Sequence, residues 1–494
     1  MNEFLNLEQI KQIEIEALNK KLNLIDLAGN AIFTWIKNNF SSSSKIIILV
    51  GAGNNGSDGL SCAVNLLKSG FLVAVLLAMQ EVNNNSKRLL EVFKNNNGII
   101  LNEETANLDN YDVIIDAILG IGINKDVDAN LKIIINKINA LKTEKFVLAI
   151  DTPTGLNPFT GEIYTIAVKA NQTITFISDK PGFYTGEAID IVGKVIVSPL
   201  LNIKDYNLNK SDTTIEINNL DSINYKALIR KKQNASKGDF GTVAIIGGNK
   251  GMTGALCLAG QSAMLLGSGK VVLGFIDEEF AIDNFMPELM TKTIDDILNN
   301  LEQFTVLVVG PGLGTDAKAI AIINKILAQK LNLKIIFDAD ALNILSSNGE
   351  LLQKFSLLSN KVITPHPKEA ARLLGTTTKE IQHNRFLAVT QLYNKLNAIT
   401  LLKGAGSLIK NKDAIYINRS GNVSLSAAGE GDTLCGIIAA FACSLDLIDA
   451  LKFAVYIHGL AADNLSQVLH GYNGILASEI AYEARKLLNN IIYL

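Results

Sequence analysis

Absences narrow the class of this 494-residue chain before any motif is read. Its four cysteines, Cys62, Cys257, Cys435 and Cys443, sit in apolar or glycine-rich segments without CxxC or CxxH spacing, so neither a disulfide framework nor a zinc site is indicated. Excess charge is missing too. A formal net charge of −3 argues against a broad basic field for nucleic acid, so a phosphorylated ligand must be held by local devices such as helix N-termini. The opening MNEFLNLEQIKQIEIEAL lacks the basic start and apolar core of a signal peptide, and no apolar run reaches the roughly 18 residues of a membrane span. There is no GxxxxGK[ST], which excludes a P-loop nucleotidase. The expectation is a cytoplasmic protein of two or three domains, working on small molecules, with no nucleic acid and no membrane partner and as a homo-oligomer.

What is present begins with two segments of helical apolar spacing, Leu7 to Leu18 and Leu24 to Ile36. KIIILV at Lys45 to Val50 is a buried strand that feeds GAGNNGSDG, a helix through Leu67 and a second strand at Phe71 to Ala78. Gly51, Gly53 and Gly56 satisfy GxGxxG, but the second strand ends without the acidic residue that a dinucleotide-binding unit places about 20 positions on. The polar insert Asn54, Asn55, Ser57 and Asp58 is the unusual part. YDVIIDAILGIGIN and FVLAIDTPTG put Asp116 and Asp151 at the ends of further strands. Ligands of open α/β sheets bind beyond those ends, so Asn55, Asp116, Asp151 and Thr154 are expected in one crevice, although a loop cap is the better reading of any one of them alone. Their oxygens suit an alkali or alkaline-earth cation better than zinc.

GAGNNGSDG, DAILGIG, DTPTG and ITFISDKPG resemble the NAD(P)H-hydrate epimerase family over this whole half. The resemblance implies a Rossmann-like three-layer domain with potassium bound by Asn55, Asp116 and Thr154. It also implies that hydrated nicotinamide nucleotide is contacted by Asn54, Asn55, Gly56, Ser57 and Asp58, by Gly120, Ile121, Gly122, Ile123, Asn124, Lys125 and Asp126, and by Asp151. Asp151 and Lys180 are the candidates for proton transfer. Two positions depart from the family pattern: NNGGDG is NNGSDG here, so Ser57 adds a side chain where a glycine would admit the ligand most closely, and DxPSG is DTPTG, which keeps a ligating oxygen.

GKVIVSPL closes this half near Leu200, and the polar LNIKDYNLNKSDTTIEINNLDS, without a long period, reads as a linker with the boundary at 210, giving domains 1–210 and 211–494. Strand and helix patterns then resume with GTVAIIGG, KVVLGFI, TVLVVGPGLG, LKIIFDADALNIL, KVITPHPKEAARLLG and AITLLKGAG, as expected of a mostly parallel sheet covered on both faces. Asp338 and Asp340 cap the following helix, the favoured reading, or approach a magnesium ion. Lys403 follows an apolar strand and requires a phosphate or carboxylate partner. His366 is flanked by prolines; a lone histidine is more often structural than functional.

The last motif organises the half. In GNVSLSAAGEGDTLCGIIAA, at Gly421 to Ala440, small residues leave main-chain N–H groups free to close around an anion at a helix N-terminus. Asp432 beside that hole reads either as an N-cap or as a base that takes a proton from an attacking hydroxyl. Together these motifs resemble, in order, the NAD(P)H-hydrate dehydratase family, whose fold is ribokinase-like. The resemblance implies that the hydrate lies against Ala255, Gly314, His366 and Asp432, and that the adenine nucleotide, ADP with Mg2+, lies at Lys403, Gly404, Ala405, Gly406, Ser407 and Gly431. The family's GTGD is GEGD here, so Glu430 adds a negative charge near the hole or points to solvent. The joint expectation is a repair enzyme that epimerises hydrated NADH or NADPH and dehydrates the S form. The alternatives are a ribokinase-superfamily small-molecule kinase fused to a cation- and nucleotide-binding regulatory domain, and a front half that only senses nucleotide.

Overall fold

The computed structural model describes residues 3–79, 81–102, 106–209, 213–230, 233–277, 286–329 and 332–493. The chain divides into two compact units, Met1–Asp212 and Thr213–Leu494. The expected boundary at 210 lies outside the described residues.

In the first unit, helices α1 (Leu7–Asn19) and α2 (Leu24–Asn39) precede β1 (Lys45–Val50), α3 (Asn54–Lys68), β2 (Leu72–Leu77), α4 (Asn84–Asn95) and β3 (Ile99–Leu101). β4 (Val113–Ala117), α5 (Ala129–Asn139), β5 (Phe146–Ile150), β6 (Gln172–Phe176) and β7 (Lys194–Ser198) follow. The seven strands form one sheet in the order β3-β2-β1-β4-β5-β6-β7, every described pair parallel. Continuous burial of KIIILV beyond Lys45 follows from helices on both faces. Ile46, Ile48 and Val50 pack with Ile32 and Ile36 of α2 and Leu60 of α3, while Ile47 and Leu49 pack with Ile134 and Ile135 of α5. The strand order reverses between β1 and β4, and that switch point opens a crevice at the carboxyl ends. Gly51 is needed because a Cβ there would stand 1.9 Å from the Ile118 carbonyl oxygen.

The second unit contains β8 (Thr214–Asn218), β9 (Thr242–Gly247), α6 (Thr253–Leu265), β10 (Lys270–Phe275), β11 (Met290–Thr291), α7 (Ile294–Leu298), β12 (Val306–Val309) and α8 (Ala317–Leu327). β13 (Lys334–Phe337), α9 (Asp340–Ser347), α10 (Gly349–Ser356), β14 (Lys361–Ile363), α11 (Pro367–Leu374), α12 (Thr378–His383) and α13 (Arg385–Leu396) come next. The unit ends with β15 (Ile399–Leu402), β16 (Leu408–Lys410), β17 (Ala414–Asn418), α14 (Glu430–Ala442), α15 (Leu447–Val468) and α16 (Ala477–Tyr493). Its ten-stranded sheet runs β11-β10-β9-β12-β13-β14-β15-β16-β17-β8. It is parallel except where β16 pairs antiparallel with β15 and β17. The expected linker is partly strand: Thr214–Asn218 pairs in parallel with β17 at the sheet edge. Its five residues are too few for periodicity to reveal, and pairing with a strand some two hundred positions later is what orders them. α14 is apolar on nearly every side because it is wedged between α6 and α15. A Cβ at Gly436 would lie 2.1 Å from the Ala259 carbonyl oxygen, so α6 and α14 touch backbone to backbone.

Candidate active sites

In the first unit the crevice is a cavity of about 1080 Å³ walled by α1, α2, the β1–α3 turn, the loop after β4, and the ends of β5 and β6. Asn54, Asn55, Asp58, Asp151 and Lys180 line it, as does the whole loop from Gly120 to Asp126. Gly56 and Ser57 do not. Gly56 is turned into the helix start, where a Cβ would meet the Gly51 carbonyl oxygen at 2.2 Å. Ser57 is fully buried against α4, its hydroxyl 2.8 Å from Ser86 Oγ and donating to Asn83 Oδ1 at 3.1 Å. The expectation that Ser57 would obstruct ligand approach is therefore corrected: its side chain points away from the cavity and ties α3 to α4.

Asp116 and Thr154 lie beneath the cavity floor, both with no exposure. Asp116 Oδ1 accepts from Thr154 Oγ1 at 2.7 Å and Oδ2 from Thr154 N at 2.7 Å; Thr154 Oγ1 accepts from Leu119 N, and Asn55 Nδ2 donates to Leu119 O at 3.0 Å. One hydrogen-bonded chain thus joins the three expected cation ligands. Burial pushes the Asp116 carboxyl up to about 6, against the opposing hydrogen bonds from Thr154 and Ile118. Asn55 Oδ1 is buried and has no hydrogen-bond partner. An orphaned amide oxygen beside a buried carboxylate and a threonine oxygen fits a weakly hydrated monovalent cation.

Asp151 sits at the end of β5 with φ +62, a conformation that costs a non-glycine residue energy. Thr175 Oγ1 donates to Asp151 Oδ1 at 3.1 Å and accepts from Lys180 Nζ at 2.9 Å, and Lys180 Nζ lies 3.7 Å from Asp151. Lys180 is 1% exposed and also donates to the Phe176 and Ser178 carbonyls. Burial lowers its pKa and Asp151 opposes that shift. The geometry makes Asp151 the group that faces the cavity and Lys180 the buried charge behind it. Two more carboxyls face the same space. Burial, then Asp151 and Glu14, push Asp58 well up; burial, then Asp151, raises Glu14. Glu14 escaped the motif search, yet a signal existed: it occupies the apolar stripe of α1 between Ile10, Ile13 and Ala17.

In the second unit the expected residues gather at the carboxyl ends of β9, β12, β13, β14 and β15. Asn249 N donates to Gly312 O at 2.6 Å, lacing the loop after β9 to the Gly310–Gly314 turn. A Cβ on Gly312 would stand 3.3 Å from Ala255 Cβ, so Ala255 abuts that turn. Gly314 N donates to Asp340 Oδ2 at 2.9 Å. His366 N-caps α11, its Nδ1 accepting from Lys368 N at 3.0 Å and Glu369 N at 3.3 Å, while Glu369 Oε2 accepts from His366 N. Burial and then Lys403 hold its imidazole below the usual range, leaving a neutral ring. Burial, partly offset by Lys403, pushes Glu369 up to about 7.

Lys403 finds the carboxylate partner its burial required: Nζ lies 2.8 Å from Asp338 Oδ1. The capping expectation for Asp338 and Asp340 fails. The N-cap of α9 is Ala339, with no side-chain cap, and Asp340 receives Gly314 N and Asn343 Nδ2 instead. The loop from Gly404 to Ser407 is open to solvent at Gly404 and Ala405, with Gly404 at φ +131 backed by the buried Arg385 guanidinium.

Asp432 is not a cap either. Gly429, at φ +91, is the N-cap of α14; Asp432 is its third residue, and its carboxylate is hydrogen-bonded to no described residue. Burial, then Asp338, push it up to about 6, with Lys403 opposing. Glu430 neither faces the hole nor reaches solvent. It is 5% exposed and its Oε2 lies 3.0 Å from His458 Nε2 of α15, while Oε1 is buried without a partner.

Among the described residues no helix is long and apolar enough to cross a membrane. Residues 243–485 match the family described as NAD(P)H-hydrate dehydratase, and residues 21–182 the family described as YjeF-related protein N-terminus. The bifunctional NAD(P)H-hydrate repair enzyme Nnr of Coxiella burnetii is 33% identical over 496 residues, covering 98% of both chains. The ADP-dependent (S)-NAD(P)H-hydrate dehydratase of Neisseria meningitidis is 40% identical over 265 residues, 53% of this chain and 89% of its own. A solved ribokinase-like superfamily protein from Enterococcus faecalis covers 58% of this chain and 98% of its own at 26% identity, with a TM-score of 0.49.

Proposed function

This chain belongs to the bifunctional NAD(P)H-hydrate repair enzymes, and we propose that it returns hydrated NADH and NADPH to their working forms with one step on each unit. Residues 1–210 carry the epimerase and residues 211–494 the dehydratase. Matches to both families in one chain leave no place for a kinase joined to a regulatory module.

In the first unit, inversion at C6 requires a bond there to break and reform. C6 carries both the hydroxyl and the ring nitrogen, so a carboxylate that removes the hydroxyl proton lets the C6–N1 pair return to nitrogen, and closure from the other face gives the other epimer. Asp151 faces the cavity for the first task, oriented through Thr175 by Lys180. Asp58 or Glu14, whose carboxyls burial and Asp151 shift toward the protonated form, supplies the proton that N1 needs. A potassium ion would be held by Asn55, Asp116 and Thr154, and when bound it supplies fixed positive charge at the cavity floor. Supporting this fit is the orphaned Asn55 Oδ1.

In the second unit, hydroxide is a poor leaving group. Transfer of a phosphoryl from ADP to the C6 hydroxyl, with its proton passing to Asp432, leaves AMP; the C6–O pair then departs with phosphate and a C5 proton is lost to form the double bond. Magnesium would arrive on the nucleotide phosphates, since no cluster of three metal-ligating acidic, histidine or cysteine side chains stands among the described residues. The observation that carries the reading is Asp432: a carboxylate hydrogen-bonded to none of the described residues, in the first turn of α14, beside Gly431 and Lys403. The four free cysteines, three of them buried, suit work in a reducing cytosol. The test is recovery of the dihydronicotinamide absorbance from an epimer mixture with ADP. Complete recovery with release of phosphate is expected; a stable phosphorylated product would instead identify a kinase.

A further inference from the structure

Three elements of the second unit meet at one ammonium. Asp338, at the end of β13, is 1% exposed; its Oδ1 lies 2.8 Å from Lys403 Nζ and its Oδ2 3.2 Å from Cys435 Sγ, one turn into α14. A Cβ on Gly431 would stand 3.3 Å from that Nζ and 3.8 Å from Asp338 Oδ2. The Lys403 ammonium therefore lies directly under the first turn of α14.

We propose that Asp338 is a positioning residue for the dehydratase reaction, holding Lys403 charged and fixed beneath the N-terminus of α14 where phosphoryl charge is transferred. This rests on the reading of the second unit given above and deepens it. Asp338 reaches the reaction only through Lys403. Burial by itself lowers the pKa of this lysine; Asp338, then Glu369 of α11 and Cys435 of α14, more than reverse that and raise it above the ordinary value. The other charged or titratable groups facing the cluster are Asp432 on α14, Asp340 on α9 and His366 on α11. Arg385 of α13 binds the Lys403 carbonyl from behind. The Cys435 thiol donates to the second Asp338 oxygen, so the carboxylate cannot swing away from the lysine. Gly431 is small for the same reason, since a side chain there would press on the ammonium.

The test compares Asp338→Asn with the wild type in S-hydrate dehydration with ADP, kcat and KM being followed from about pH 7 to 10.5, the ordinary lysine value. The wild type must first regenerate dihydronicotinamide; if it does not, the dehydratase reading fails before Asp338 is judged. Asparagine keeps the shape but leaves the burial of Lys403 opposed mainly by Glu369. The expected result is a kcat loss of about 10- to 100-fold with a smaller change in KM, together with a new alkaline limb where the amine loses its proton. In Asp338→Asn/Lys403→Arg, whose guanidinium stays charged, that limb should disappear. An Asp338→Asn profile parallel to wild type overturns the proposal, and so does a limb that persists in the double variant, since it would belong to Cys435. If Asp338→Asn does not fold, lysine carrying 13C at Cε decides in the wild type, with Lys403 assigned from Lys403→Arg: no titration step below about pH 10.5 is expected, and a step at or below the ordinary lysine value overturns the proposal.

Discussion

Asp432→Asn separates chemistry from structure more sharply than any other single change. Asparagine keeps the shape of the side chain but takes up no proton, so if Asp432 accepts the C6 hydroxyl proton, kcat for S-hydrate dehydration should fall by about 10² to 10⁴ with ADP binding largely retained. The carboxyl lies at about 6, raised by burial and Asp338. The wild-type rate should therefore decline about tenfold per unit as pH falls below that value, and the variant should lack this limb. Stability moves the other way. A folded-state pKa of about 6 against about 3.9 in the unfolded chain means that ionising Asp432 costs the native state. The penalty is absent below pH 4, grows between the two values and is complete above about 6. Two pH units would correspond to nearly 3 kcal/mol, and partial exposure of the site reduces this to about 1–2 kcal/mol. Asp432→Asn should thus be more stable than wild type at pH 7.5 in urea titration, with the advantage gone near pH 4. Near wild-type turnover would remove the catalytic role. A variant less stable at pH 7.5 would show that the carboxylate makes native contacts after all.

Asp116→Ala should abolish epimer exchange while leaving S-hydrate dehydration intact, as should removal of potassium; exchange measured by NMR and unchanged in either condition would refute the cation site. Residues 1–208 and 215–494 expressed apart should each keep one activity, because each unit has its own sheet and core; loss of both activities would refute independent domains. His458→Ala strands the buried Glu430 without its hydrogen-bond partner and should cost about 1–3 kcal/mol by chemical denaturation. Adding Glu430→Gln should recover a large part of that loss, and no recovery would mean that the two side chains do not act as a pair.

Strand and helix placement was legible where the pattern was long. KIIILV and VLVV are continuously apolar because both faces of each sheet are covered, and the body of α14 is apolar because α6 and α15 enclose it. β8 was not legible, because five residues with half-buried side chains acquire a strand partner only through β17. Glycine-rich turns marked the right places for a partly different reason. Gly51 and Gly56 are small to let the chain pass close to itself, and it is Asn54 and Asn55 between them that line the cavity.

The sequence by itself determined two α/β halves, the strand ends that carry Asp116, Asp151 and Asp338, and the small-residue approach to Asp432, because these depend on periodicity and on residue size over short stretches. Only the tertiary structure decided which charges meet. Lys403 and Asp338 are 65 positions apart, Glu430 and His458 are 28 apart, and Glu14 enters the first cavity from a helix that contributes no motif. Whether a carboxylate caps, pairs or reacts is set by the partners that folding delivers and the water it excludes, and neither is encoded in local spacing.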